Sequence, residues 1–260
     1  MEYKRIVVKV GSNVLSKKDG NLDITRMSAI VDQLSELHAK GMEVMLVTSG
    51  AVAAGRAELN NLDMDSVQNK QLQAAVGQAK LIEHYYRFFK EYGIVSGQIL
   101  TTKENFEQPE LMANQKRCMD TMLASGVIPV INENDVVAIK ELMFTDNDEL
   151  SVLVSEMMNA DLLIILTNVD GIYDKDPGLA DARVIPEINL EQDYSDCISE
   201  IRSSLGRGGM QSKMVNARHL AQQGIPVYIA NGKKENILIN LLYNAENTVF
   251  TKFLPKTKQI

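Results

Sequence analysis

The strongest constraint on this chain is an alternation. Short apolar runs of strand length recur between segments whose apolar residues have helical spacing. The runs are Arg5–Val10, Glu43–Thr48, Val95–Leu100, Ile128–Ile131, Leu162–Leu166 and Val227–Ala230. Between them, Met27, Ile30, Val31, Leu34 and Leu37 fall on one face of a helix that Gly41 ends. Further helices are predicted from about Val67 to Tyr92, from about Glu110 to Ser125, from near Asp148, and from Met210 to Gly224. Ser49-Gly50 leads into an Ala-rich helical start, Ile139–Phe144 reads as a short hairpin or excursion, and Gly178–Tyr194 reads as irregular.

Runs without polar alternation suit strands buried on both faces, and strands alternating with helices give a parallel sheet. No Pro/Gly/Ser linker separates two halves. The expectation is therefore one domain over residues 1–260, an α/β three-layer αβα sandwich with a mainly parallel central sheet. On such sheets ligands collect at the carboxyl ends of the strands, so the residues just past each strand are the informative ones.

Composition matters for what it removes. A formal net charge of −7 leaves no general basic face for nucleic acid, although a few cations in a cleft still dominate locally. Glu2, Lys4, Arg5 and Lys9 break up the opening segment, and Leu162–Leu166 is far too short to span a bilayer. Cys118 and Cys197 stand apart, and His38, His84 and His219 are scattered, without metal-ligand spacing. The reading is a cytoplasmic protein with no nucleic-acid partner, no membrane contact and no metal-ligating residues of its own.

The strand ends carry chemistry. They read Lys9-Val10-Gly11-Ser12, Thr48-Ser49-Gly50-Ala51, Asn132-Glu133-Asn134-Asp135, and Thr167-Asn168-Val169-Asp170-Gly171. Before the late helix lies Gly206-Arg207-Gly208-Gly209-Met210-Gln211-Ser212-Lys213, where glycines let backbone amides approach an anion at a helix start. This loop fits neither the Walker A nor the dinucleotide glycine spacing. Each element also has an ordinary reading: a surface loop, a solvated lysine ending a strand, a plain helix cap. The carboxylates Glu133, Asp135, Asp146, Asp148 and Glu149, interleaved with Asn132, Asn134 and Asn147, suit either a cation site or a solvated turn cluster. Together, two lysines, Gly-rich turns and gathered carboxylates are the parts of phosphoryl transfer, which needs positioning and charge neutralisation more than covalent help.

The strings VVKVGSNVL, VTSGAVAAGR, KQLQAAVGQ, PVINENDVVA, TDNDELS, LTNVDGIYDKDP and GRGGMQSK, in this order along nearly the whole chain, resemble the amino acid kinase family. The INENDVVA and TDNDELS strings resemble its glutamate-phosphorylating branch. That resemblance implies ATP-dependent phosphorylation of the γ-carboxylate of L-glutamate to L-glutamyl 5-phosphate, opening proline biosynthesis. It implies Lys9 and Lys213 on the transferring phosphoryl group, Gly11 and Ser12 as backbone donors to it with Gly50 nearby, and Asp148 holding the lysines. Ser49, Gly50, Asn132, Asp135, Asp146 and Asn147 are implied for glutamate, with Asp135 facing its ammonium; Asp146 and Asp148 remain interchangeable at this stage. Ser12, Thr167, Asn168, Tyr173, Asp174 and the residues Arg207, Gly208, Gly209, Met210, Gln211, Ser212 and Lys213 are implied for the nucleotide.

Mg²⁺ on the ATP phosphates, proline as a feedback inhibitor and a homo-oligomer are also implied. Two departures stand out: many relatives carry a further C-terminal domain of RNA-modifying type, not expected here, and position 168 is Asn where some have Asp. The competing readings are a kinase of another carboxylate or carbamate and a silent ligand sensor on the same fold.

Overall fold

In the computed structural model, the residues described are 3–59, 67–137, 144, 146–192, 194 and 209–256. Among these residues, eight strands form one sheet in the order β3-β4-β2-β1-β5-β7-β8-β6. They are β1 (Arg5–Val10), β2 (Glu43–Val47), β3 (Ser96–Thr101), β4 (Ile128–Glu133), β5 (Leu162–Thr167), β6 (Glu187–Ile188), β7 (Val227–Asn231) and β8 (Thr251–Phe253). Every pairing is parallel except β7 with β8.

The helices are α1 (Ser12–Leu15), α2 (Ile24–Ala39), α3 (Ala51–Glu58), α4 (Val67–Glu91), α5 (Glu104–Glu107), α6 (Pro109–Ala124), α7 (Asn147–Met157), α8 (Met210–Gln222) and α9 (Ile237–Tyr243). One apolar layer joins α2, α3, α4 and α9 to the sheet, and a second joins α6, α7 and α8 to its other face. This is the three-layer sandwich.

Successive side chains along a strand point to opposite faces of its sheet, and in β1 this sorts the residues between the two layers. Ile6, Val8 and Val10 enter the first layer, and Val7 enters the second. Lys9 shares the parity of Val7, so it points toward α7 and α8. Each fully buried Val, Leu or Ile in β1 and β5 contributes roughly 1.5–3 kcal/mol, enough to hold a lysine among them.

Two glycine-dependent features shape the acceptor side. Gly50 has φ of +108°, a left-handed conformation that turns β2 into α3. Where α3 crosses α4, a methyl group on Gly77 would overlap the Ala51 carbonyl, and one on Gly55 the Gln73 carbonyl. The two helix backbones touch there.

Several expectations need correction. The strand expected over Ile128–Ile131 runs further: β4 continues through Glu133, because the edge strand β3 pairs Leu100 with Asn132 and Thr101 with Glu133. Gly178–Tyr194 is not wholly irregular, since β6 lies within it beside β8. Elements α1, α5, α9 and β8 carried no expectation. The hairpin at Ile139–Phe144 lies outside the described residues apart from Phe144.

Candidate active site

The carboxyl ends of β1, β2, β4 and β5 and the start of α8 converge on two adjoining cavities. The first, about 170 Å³, is lined by Lys9, Gly11, Ser12, Asp148, Thr167, Asn168, Gly209, Met210 and Lys213 among others. The second, about 520 Å³, is lined by Ser49, Gly50, Asn132, Glu133 and Asp135, with Lys17, Lys18 and Arg56 on its rim. Ser12, Asn13, Ser49 and Asn147 line both, so they form the shared wall.

Asp148 sits at the first cavity with 1% exposure. Its Oδ1 lies 2.6 Å from Lys9 Nζ and its Oδ2 2.9 Å from Lys213 Nζ. Burial alone would raise the Asp148 carboxyl; the charge of Lys9 and then of Lys213 exceeds that effect and holds it below the ordinary value. The parity of β1 aims Lys9 here, the first turn of α7 supplies Asp148, and the first turn of α8 supplies Lys213. Two cations tied to one anion leave a net positive charge facing the cavity.

Asp146 does something different. Its Oδ1 accepts from the amides of Asp148 and Glu149 at 2.9 and 3.1 Å, capping α7, and its Oδ2 accepts from Ser212 Oγ at 2.8 Å. Geometry thus separates the two aspartates: Asp148 touches the lysines, whereas Asp146 ties α7 to α8.

Asn147 knits the shared wall. Its Nδ2 donates to the Thr48 carbonyl at 2.7 Å, Ser49 Oγ at 2.8 Å and Asn132 Oδ1 at 3.0 Å. Asn132 in turn donates to Gln78 of α4 at 2.8 Å. The ends of β2 and β4 are therefore fixed by one α7 residue and one α4 residue.

Not every expected role survives in the expected form. The amide of Gly11 donates to the Leu166 carbonyl at 3.1 Å, because β1 and β5 stay paired there, so it is committed to the sheet rather than to a phosphate. Tyr173 and Asp174 do not line either cavity: Tyr173 bridges to Val184, and Asp174 accepts from the Arg183 amide at 2.9 Å. Gln211 is exposed on α8, and Arg207 and Gly208 lie outside the described residues.

Other lining residues drew no role from the sequence. Asn13 lies inside the VVKVGSNVL string, where its position after Gly11-Ser12 was the available signal. Arg56 likewise closes the VTSGAVAAGR string, whereas Lys17 and Lys18 carried no signal, since nothing local brings them to this rim.

A model of the amino acid kinase family matches residues 4–231, and the chain belongs to that family. Two relatives sharpen the placement. A protein named glutamate 5-kinase from Bacteroides thetaiotaomicron is 54% identical over 260 residues, covering 100% of this chain and 72% of the relative. Another of that name, from Symbiobacterium thermophilum, is 41% identical over 252 residues and covers 96% of each chain. Among solved structures, an isopentenyl phosphate kinase in a substrate complex matches with TM-score 0.68 at 17% identity, covering 95% of this chain and 99% of that one. At that identity the likeness is one of fold.

Proposed function

We propose that this chain transfers the γ-phosphoryl group of ATP to the γ-carboxylate of L-glutamate, giving L-glutamyl 5-phosphate. The observation that carries the reading is Asp148 bound to Lys9 and Lys213 beside the wall shared by two cavities. The relatives named glutamate 5-kinase supply the acceptor.

The smaller cavity, with Thr167, Asn168 and Met210, takes the phosphate end of ATP, and the larger one takes glutamate. The attacking γ-carboxylate is already ionised at neutral pH, so no general base is required. It approaches the γ-phosphorus past Ser49 and Asn147 while the leaving oxygen departs on the nucleotide side. Charge spreads over the transferring oxygens, and Lys9 and Lys213 meet it without reorganising, because Asp148 holds them in place beforehand. Asp135 receives the substrate ammonium.

Mg²⁺ would come with the nucleotide, supplying further charge neutralisation at the phosphates. The residues fit that arrangement: Asp148 is committed to two lysines, and Asp146 to a helix cap and Ser212. Proline presents the same ammonium and carboxylate groups as glutamate and would compete in the larger cavity. Assembly into a homo-oligomer and a cytoplasmic location belong to the same reading. Among the described residues, no helix is long and apolar enough to cross a membrane.

The test is incubation with Mg-ATP and glutamate while hydroxylamine traps the acyl phosphate. The expected result is glutamate-dependent hydroxamate and ADP, absent with aspartate and N-acetylglutamate. Product with another acid instead would move the substrate, and no product from a folded, ATP-binding protein would overturn the reading.

A further inference from the structure

Glu133 has no part in the chemistry above. Yet it is only 8% exposed, and it lines the acceptor cavity together with Asp135. Its Oε1 accepts the Phe144 amide at 3.0 Å, and no described residue donates to Oε2. The charged groups around it come from several elements. Asp135 lies two residues further along its own chain segment. Glu149, in the first turn of α7, is held by Lys103 at 2.9 Å. Lys17, Lys18 and Arg56 stand exposed on the rim. Among the described residues, no cation pairs with Glu133 or Asp135.

Carboxylates this deep are normally paired or hydrogen-bonded throughout, because burying charge is costly. A cavity that presents two of them calls for a cation. Among the described residues no group of three or more His, Cys, Asp or Glu side chains gathers to hold a metal ion. A single-charged ammonium, with three donors to divide between two acids, matches what is there.

We propose that Glu133 is a specificity-determining residue that shares the α-ammonium of the acceptor with Asp135, an inference that rests on the amino-acid-acceptor reading above. Ionisation of the pair then limits acceptor binding. Burial, reinforced by Asp135 and Glu149 and opposed by the Phe144 amide, raises the Glu133 carboxyl to about 7. Burial raises Asp135 to about 6. Without acceptor, much of the pair is protonated near pH 6. An arriving ammonium favours the charged form, so a carboxyl proton leaves to solvent as the acceptor binds. The acceptor KM therefore falls as pH rises from 6 to 8.

Glutarate, the same dicarboxylic acid without the amino group, separates ammonium recognition from general integrity of the site. For the wild type, KM for glutamate should fall about tenfold between pH 6 and pH 8, as titration of one group near 7 requires, while KM for glutarate stays level or rises. In Glu133→Gln, the preference for glutamate over glutarate in kcat/KM at pH 8 should drop about tenfold, the scale of one charge-assisted hydrogen bond. KM for ATP and kcat at saturating glutamate should hold.

Equal losses for both acids in the variant, or no loss for either, would overturn the role of Glu133. Should the variant fail to fold, parallel wild-type pH profiles for the two acids would overturn it equally. Absence of hydroxamate from the wild type with glutamate would instead remove the acceptor reading itself.

Discussion

Two buried acids line adjoining cavities of the candidate active site and have opposite surroundings. Asp148 touches two lysines, at 2.6 and 2.9 Å, and its carboxyl is held low. Glu133 has one amide and two further acids near it, and its carboxyl is raised to about 7. Burial acts on both in the same direction; the neighbours decide the outcome. The first site holds its counter-charges already, which in the proposed function suits a transferring group whose charge appears briefly. Among the described residues no cation pairs with the second, and in the proposal above the ligand provides one.

The largest effect should come from dismantling the complete site. Asp148→Ala leaves two lysines without their anion and should cost about 3–5 kcal/mol of stability in a urea titration. Lys9→Ala or Lys213→Ala should lower kcat by about 10²–10³-fold in the hydroxamate assay, with the fold retained by circular dichroism. Near-normal turnover in either lysine variant would erase the contrast between the two acids.

Next comes the support of the acceptor side. Gly77→Ala forces apart the α3–α4 crossing that carries Gly50 and Gln78, and should destabilise by about 1–3 kcal/mol. It should raise the glutamate KM more than the ATP KM; equal changes would mean that the crossing does not position the acceptor wall.

A smaller effect sharpens the comparison through pH. The folded-state value of Glu133 lies above its ordinary 4.5, so its contribution to stability is present at low pH and lost as pH rises through about 7. Asp148 behaves oppositely: its contribution is present above its ordinary 3.8 and lost as pH falls through its lowered value. Between pH 5 and 8, then, the melting temperature without ligand should decline by a few degrees, and Glu133→Gln should flatten the decline. A flat wild-type profile would place Glu133 in an ordinary environment. Smallest of all, Lys103→Met releases Glu149 from its ion pair and should raise the glutamate KM about two- to threefold at pH 7, the scale of a partly exposed pair.

The contrast also tracks what the sequence discloses. Lys9 and Lys213 stood out as candidates because each sits at the edge of a local pattern, a β-branched run and a Gly-rich loop, whereas Asp148 could not be told from Asp146 until the ion pairs separated them. Glu133 was harder to place. Its Asn-Glu-Asn surroundings look like a loop, and only the register with β3 makes Asn132 and Glu133 strand. The roles of Gly55 and Gly77 were hidden for a similar reason, since a glycine inside a helical pattern does not say which other helix backbone it meets. The committed amide of Gly11 likewise depends on β5, far along the chain. Local spacing shows which residues are available, and long-range pairing decides which of their groups remain usable.

The central position of β1 bears on how the protein comes into being. Lys9 is synthesised almost at once, whereas its neighbour strand β5 and its counter-ion Asp148 come after the midpoint of the chain, and Lys213 only in the last fifth. A nascent chain that has released β1 through β4 already contains half the sheet but lacks the anion that makes a lysine tolerable inside it. Domains fold as units during synthesis, and here the unit closes late. A translation product that ends before Asp148 would carry Lys9 without its counter-ion, and one that ends before Lys213 would carry the pair without its second cation.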